Sequence, residues 1–189
     1  MRMFVAVVPP DEVVEHLDAF LEARRDAAAY RWAPREQLHV TLAFLADVPD
    51  RNLDDLVERL GRAARRRTAF PSAIAGGGAF PNVGRARVLW AGLDLDDHGR
   101  TELDRLATGC RAAANRAGVP VDGQRFHPHV TLARIGQPAE VTSWVRLLDG
   151  YAGPRWRAES ITLVASYLGE GPHGRPRYVN VDQFTLAGA

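Results

Sequence analysis

The tetrapeptide His-Val-Thr-Leu occurs twice in this chain of 189 residues, at positions 39–42 and again at 129–132. With six histidines in the chain, two copies that share the intervening valine and the following leucine are not an accident of composition. Along a β-strand, side chains alternate between the two faces. Each copy therefore predicts a strand that shows an imidazole and a hydroxyl on one face and packs its valine and leucine on the other.

Two such strands, brought face to face, carry the groups that displacement at phosphorus requires. Imidazole titrates near neutral pH, so one ring can act as a base while the other acts as an acid. Threonine hydroxyls can donate hydrogen bonds to oxygens on which negative charge grows. We therefore take His39 and His129 as candidate acid-base groups for in-line displacement, with Thr41 and Thr131 as donors to the phosphate.

Two other interpretations of these residues stay open from sequence alone. A single His-x-Thr in a strand is more often a core histidine beside a sheet threonine, and it is the duplication that favours a functional role. A metal site would combine His127 with His39 and His129, but neither motif has Asp, Glu or Cys at ligand spacing. We expect neither a metal ion nor a cofactor.

The segments around the motifs show the same order of predicted elements twice: strand, helix, motif strand, helix, strand. The separation is 84 residues between Phe4 and Val88 and 90 residues between His39 and His129. A nearly constant offset indicates an internal duplication. The predicted fold class is α/β, in its α+β form: one bilobal domain over residues 1–189, with two βαβ-type lobes and antiparallel sheets around a central cleft, related by a pseudo-twofold axis.

Local patterns give the approximate extents of these elements. Apolar spacing and Pro or Gly boundaries predict strands at 3–8, around Val40, at 87–95, around Val130 and at 159–168, and a last strand near the C-terminus. Helices are predicted at 11–25, from about 50 to 67, at 97–117 and at 140–148. Gly76 to Gly78 lack the Lys-Ser/Thr of a phosphate loop and predict a flexible connection.

Composition places the chain among ordinary globular proteins. It is 46% hydrophobic with a formal net charge of +1, and all 24 of its basic residues are arginines. No segment has the length and apolarity of a membrane span, and Pro9-Pro10 interrupts the first apolar run where a signal peptide would continue. Cys110 is the one cysteine, which excludes an internal disulfide. We expect a cytoplasmic protein.

Through its paired motifs the chain resembles the 2H phosphoesterase superfamily, and through the flanking segments it resembles, within that superfamily, the RNA 2',3'-cyclic phosphodiesterases, also called 2'-5' RNA ligases. The resemblance extends over nearly the whole chain. It is carried by MRMFVAVVPPDEV, RWAPREQLHVTLAFLADV, GAFPNVGRARVLWAGL, FHPHVTLARI and SYLGEGPHGRPRYVNVDQFTL. Ala43 and Ala46 depart from the family, which often has a basic residue and a glycine there, and the first departure weakens contacts to the RNA backbone.

The resemblance implies metal-independent hydrolysis of a 2',3'-cyclic phosphate, on RNA ends or nucleotides, to a 2'-phosphate. His39 and His129 would be the acid-base pair, and Thr41 and Thr131 would bind the phosphate. Because a 2'-phosphate product means that the 3' oxygen leaves, we assign its protonation to His39 and the activation of water to His129. We expect a monomer with RNA 3' ends or nucleotides as partners.

The position five residues after each motif histidine adds two candidates, Phe44 and Arg134. Family usage implies that Phe44 stacks on the terminal base and that Arg134 holds phosphate. Five is an odd step, which puts both residues on the wrong face unless the strand ends or bulges.

The remaining histidines receive structural or solvated roles. His127 is interpreted as a supporting residue, and His16, His98 and His173 as solvated.

Two other functions stay open. The same acid-base pair would serve ligation, the reverse reaction, and a non-catalytic module could use the cleft to bind a nucleotide or an RNA end.

Overall fold

The computed structural model describes all 189 residues, which form four α-helices and nine β-strands. The helices are α1 Asp11–Glu22, α2 Asp50–Arg65, α3 Asp97–Arg116 and α4 Thr142–Asp149. The strands are β1 Met3–Val7, β2 Arg31–Trp32, β3 Val40–Leu45, β4 Phe70–Phe80, β5 Ala86–Asp94, β6 Val130–Ala139, β7 Trp156–Ala158, β8 Ser160–Tyr167 and β9 Arg177–Thr185. No helix is apolar over enough residues to span a lipid bilayer.

All strand pairs are antiparallel, and the sheet order is β7-β4-β5-β6-β3-β1-β8-β9, with β2 paired to β6 beside this path. The predicted α+β class, its two lobes and its antiparallel pairing are confirmed. The motif strands β3 and β6 lie side by side at the middle of the sheet. Each lobe contributes one of them, as the repeat predicts.

The sequence repeats do not coincide with the lobes in space. The first repeat ends in β4, yet β4 pairs with β5 of the second repeat. The second repeat ends in β8, which pairs with β1 of the first. Each repeat therefore places its last strand in the other half of the sheet, an exchange that the order of elements along the chain does not reveal.

The helices form where the sequence provides amphipathic faces and suitable ends. Asp96 caps α3 by accepting a hydrogen bond from the backbone N–H of Gly99 at 2.7 Å. Helix α2 begins with Asp50 and has Arg62 and Arg65 in its last turn, which complements the helix dipole. Helices α2 and α3 pack on each other, and α3 also contacts β3 and β4. Through α3, this layer supports the first motif strand.

The glycine run is not the flexible connection that the sequence predicts, because Gly76 to Gly78 lie inside β4. A Cβ added to Gly78 would lie 2.3 Å from the indole of Trp90, and one on Gly77 would lie 2.5 Å from the side chain of Leu148. Glycine is required here for close approach by side chains of β5 and α4.

Candidate active site

The two motif strands meet at one residue pair, Val40 opposite Val130. Antiparallel pairing then places His39 beside Thr131 and Thr41 beside His129. Both valines are fully buried, so the imidazoles and hydroxyls on the alternate positions share the opposite face of the sheet. The structure thus brings all four motif residues together about the local twofold.

A β-bulge lies at the last residue of the first motif. In the ladder between β1 and β3, Val5 pairs with Ala43 but the next residue, Ala6, pairs with Thr41. Leu42 is therefore an extra residue, and the side chains that follow it change face. Phe44 consequently lies on the same face as the motif.

The second motif has the same bulge at the equivalent position. Between β5 and β6, Leu89 pairs with Ala133 whereas Trp90 pairs with Thr131, which leaves Leu132 unpaired. Arg134 pairs with Val88 beyond the bulge and so returns to the motif face. The odd step of five residues is thereby reconciled with a shared face in both copies.

These residues border a cavity of about 390 Å³. Phe44 and Arg134 line it together with His39, Thr41 and Thr131. His129 is the one predicted site residue that does not line it. No aspartate or glutamate contributes to the wall, whereas four arginines do: Arg2, Arg31, Arg134 and Arg175. The cavity is therefore suited to an anion.

Hydrogen bonds fix the orientation of the His39 ring. Its Nδ1 lies 2.6 Å from the carbonyl oxygen of Gln37, which can only accept, so Nδ1 carries the proton. In the neutral ring Nε2 then accepts, and the Thr41 hydroxyl donates to it at 3.0 Å. The ring stacks on Phe4 at 4.6 Å between centroids, and Tyr178 meets it edge-on at 5.8 Å.

This environment lowers the pKa of His39 to about 4. Burial is the largest cause, since it disfavours the charged ring, and the nearby His129 and Arg134 act in the same direction. The hydrogen bond to the Gln37 carbonyl opposes them. In the unliganded protein His39 is thus neutral at pH 7.

The His129 ring is oriented by the same kind of hydrogen bond as His39, but its surroundings differ. Its Nδ1 donates to the carbonyl oxygen of His127 at 2.6 Å. The lone pair of Nε2 accepts no hydrogen bond from the protein. Phe80 meets the ring edge-on at 4.9 Å, and Trp90 lies 6.0 Å away. Burial lowers the pKa of His129, and the neighbouring His127 and Arg134 add to this effect. Nε2 of His129 is therefore free to accept a proton.

Several cavity residues escaped the sequence analysis. Arg2 lies over the Phe44 ring, with its guanidinium carbon 4.4 Å from the centroid. Gln37 supplies the carbonyl that orients His39, and its side chain donates to the Pro176 carbonyl at 2.8 Å. The spacing of two residues before each histidine, shared by Gln37 and His127, was the available signal. Arg2 gave none.

The other histidines fall outside the cavity. His127 packs against Trp90 and Phe80, in keeping with a supporting position. His16, His98 and His173 are exposed. His98 lies at the start of α3, and His16 Nδ1 lies 2.8 Å from the Tyr151 hydroxyl. The structure brings no three metal-ligating side chains together.

An antiparallel two-lobed sheet with paired His-x-Thr strands at its centre defines a two-histidine phosphoesterase. The family model described as LigT like Phosphoesterase matches residues 7–90 and 93–173 of this chain. The chain therefore belongs to the LigT-like phosphoesterase family.

Individual relatives agree with this assignment. A protein of Thermus thermophilus named RNA 2',3'-cyclic phosphodiesterase is 34% identical over 100% of this chain and 91% of its own length. A crystal structure of a Thermus thermophilus protein is similar with a TM-score of 0.77 and 33% identity, over 98% of both chains. The crystal structure of Escherichia coli LigT complexed with 3'-AMP also has a TM-score of 0.77, with 27% identity over 98% of both chains.

Proposed function

We propose that this chain hydrolyses the 2',3'-cyclic phosphate ends of RNA or nucleotides and leaves a 2'-phosphate. The activity class, a cyclic phosphodiesterase, follows from the family and from the names of its relatives. The observation that carries the mechanism is the pair of imidazoles with assigned tautomers beside an arginine-lined cavity that has no carboxylate.

The two imidazoles have unequal tasks. Nε2 of His129, with its free lone pair, takes a proton from water while the water oxygen bonds to phosphorus. The bond from phosphorus to the 3' oxygen breaks, and that oxygen takes the proton from Nε2 of His39. Afterwards His129 is protonated and His39 is neutral, and proton exchange with solvent restores the pair.

His39 must gain a proton before it can act as the acid. The anionic phosphate supplies the electrostatic reason, because a negative charge nearby favours the imidazolium and opposes the causes that lower its pKa to about 4. The face of Phe4 also favours a cationic ring. Once Nε2 is protonated it no longer accepts from Thr41, and the freed hydroxyl can donate to a phosphate oxygen.

The other site residues hold the substrate. Thr41, Thr131 and Arg134 donate to the phosphate oxygens, and no metal or cofactor takes part. Phe44 offers the ring face not covered by Arg2 to the terminal base. Run in reverse, the same pair joins a 5'-hydroxyl to the cyclic phosphate as a 2'-5' bond, although abundant water makes hydrolysis the net direction. We place this activity in RNA processing by a cytoplasmic monomer.

The test is incubation of the purified protein, with EDTA present, with a short RNA and a mononucleotide that each end in a 2',3'-cyclic phosphate. The expected product carries a 2'-phosphate, identified by phosphorus NMR. A 3'-phosphate would reverse the choice of leaving oxygen. Nucleotide binding without turnover at any pH between about 5 and 8 would instead indicate a binding module.

A further inference from the structure

The cavity holds more positive charge than the reaction uses. None of its four arginines has an ion-pair partner, since every salt bridge in the protein joins other groups. A cyclic phosphate diester carries one negative charge. The two threonine hydroxyls, the protonated His39 and Arg134 suffice for it, which leaves three guanidiniums without a task in the chemistry.

Among these three, Arg31 has the least favourable position in the unliganded protein. Arg2 already packs over Phe44, and Arg175 lies in the connection between β8 and β9. Arg31, in contrast, pairs directly opposite Arg134 across the β2–β6 ladder. Like charges directly opposite in a sheet are destabilising. An anion bound at Arg31, in addition to the reacting phosphate at Arg134, offsets that repulsion, so Arg31 is placed to bind a second phosphate group.

The location of Arg31 separates it from the reacting phosphate. The level of Arg134 and Arg31 lies past the bulged Leu132, two residues along β5 from the level of Thr131, roughly 7 Å at the usual rise of a strand. Arg134 is among the causes that lower the pKa of both His39 and His129, so it acts on the reacting centre. Arg31 lies beside it on β2 and also lines the cavity, which leaves its guanidinium available to a neighbouring part of a bound strand.

We propose that Arg31 binds the phosphodiester that joins the last two nucleotides of an RNA strand, so that the enzyme prefers an oligonucleotide end to a mononucleotide. The inference rests on the proposed function, because the terminal cyclic phosphate must occupy the catalytic centre.

The test compares substrates that differ by one phosphodiester. They are a mononucleoside 2',3'-cyclic phosphate, a dinucleotide with a 5'-hydroxyl and the same cyclic end, and that dinucleotide with a neutral methylphosphonate linkage. For wild type we expect kcat/KM to be about tenfold higher on the charged dinucleotide than on the other two, as for one charge-assisted hydrogen bond. Equal values on the charged and neutral dinucleotides would overturn the proposal.

Variants then assign the preference to a residue. Arg31→Gln is expected to lower kcat/KM about tenfold more on the charged dinucleotide than on the other two substrates, which removes the preference, while Arg31→Lys restores part of it. Loss of a like-charge pair should not unfold the protein. Arg116→Gln is the matched control, because Arg116 lines a separate groove between α2 and α3 and forms no ion pair. An equal loss on all three substrates, or loss of the preference in Arg2→Gln or Arg175→Gln but not in Arg31→Gln, would contradict the role of Arg31.

A binding measurement separates this proposal from the proposed function. If wild type hydrolyses no substrate, the proposed function fails, and the affinity for a dinucleotide ending in a 2'-phosphate decides on Arg31. Arg31→Gln should weaken that affinity about tenfold and reduce the slope against log salt by about 0.7, the value for one phosphate contact on a single strand. Unchanged affinity and slope would overturn the assignment.

Discussion

The two halves of the active site have the same framework and different surroundings. In both, a bulged leucine follows the threonine, and Nδ1 of the histidine donates to the carbonyl two residues earlier at 2.6 Å. Yet Nε2 of His39 is engaged by Thr41 at 3.0 Å, while Nε2 of His129 is free. Phe4 stacks on the face of His39, whereas the rings of Phe80 and His129 are perpendicular.

This difference teaches how a duplicated motif can perform two tasks. The repeated backbone fixes the position and tautomer of each imidazole. The residues that the repeats do not share then decide which ring becomes cationic and which remains a base. The fifth position after each histidine follows the same rule, because Phe44 offers an aromatic face where Arg134 offers charge.

The strongest test of the two roles is to remove each histidine in turn. His39→Ala and His129→Ala should each lower kcat at least about a hundredfold, the lower end for general acid-base catalysis. Steady-state kinetics on a cyclic mononucleotide would measure this, with His98→Ala as a control far from the cavity. Near-normal activity in either variant would remove that histidine from the mechanism.

Substitution of Arg134 or Phe44, each five residues after a motif histidine, should have the next largest effect on activity. Arg134→Gln should lower kcat/KM about tenfold or more through the lost contact to phosphate. Because Arg134 lowers the pKa of both imidazoles, its loss should also move the acid limb of the pH profile to higher pH. Phe44→Leu should leave that limb in place and raise KM instead. If both variants shifted the limb alike, the distinction between charge and stacking at these positions would be wrong.

The dependence of stability on pH tests the buried environment of His39. The folded pKa of His39, about 4, lies below its ordinary value of 6.5, so the unfolded state binds more protons between these values. The free energy of unfolding should therefore fall as the pH drops from 6.5 to 4, with about 2 kcal/mol due to this ring beside an open cavity. In urea titrations, His39→Gln should flatten this dependence, and an unchanged slope would contradict the burial argument.

The smallest expected effect concerns the residues that anchor the rings. Gln37→Leu breaks the hydrogen bond to the Pro176 carbonyl but keeps the backbone carbonyl that orients His39. Loss of this neutral hydrogen bond should cost kcat/KM about three- to tenfold. His127→Leu, the matching change on the other side, has no such tether to lose and should reduce activity less. Kinetics that rank the two variants in reverse order would place the more important anchor beside His129.

The sequence predicted much of this arrangement because its signals are local. The strand and helix patterns around Val40 and Val130 gave the elements, and the repeated motif gave the paired residues. The bulges at Leu42 and Leu132 were visible only as an odd step to Phe44, since a bulge depends on the neighbouring strand.

Other features depend on partners that are distant in sequence. Gly78 was misread because the indole that requires it, Trp90, belongs to another strand. Arg2 enters the site from the N-terminal segment, which carries no paired motif, and the contact of the Gln37 side chain with Pro176 joins segments far apart in sequence. The positions of β4 and β8 in the sheet could not be inferred either, because the order of elements along the chain does not say which strands pair.

The exchange of β4 and β8 between the halves also bears on how the chain could be divided. If it were cut in the β4–β5 connection, the first fragment would keep β4 without β5, and the second would keep β8 without β1. Each fragment would expose the unpaired edge of a strand that only the other fragment can cover. The natural boundary between the repeats is thus suited to a split enzyme, in which activity reports the reassociation of two inactive pieces.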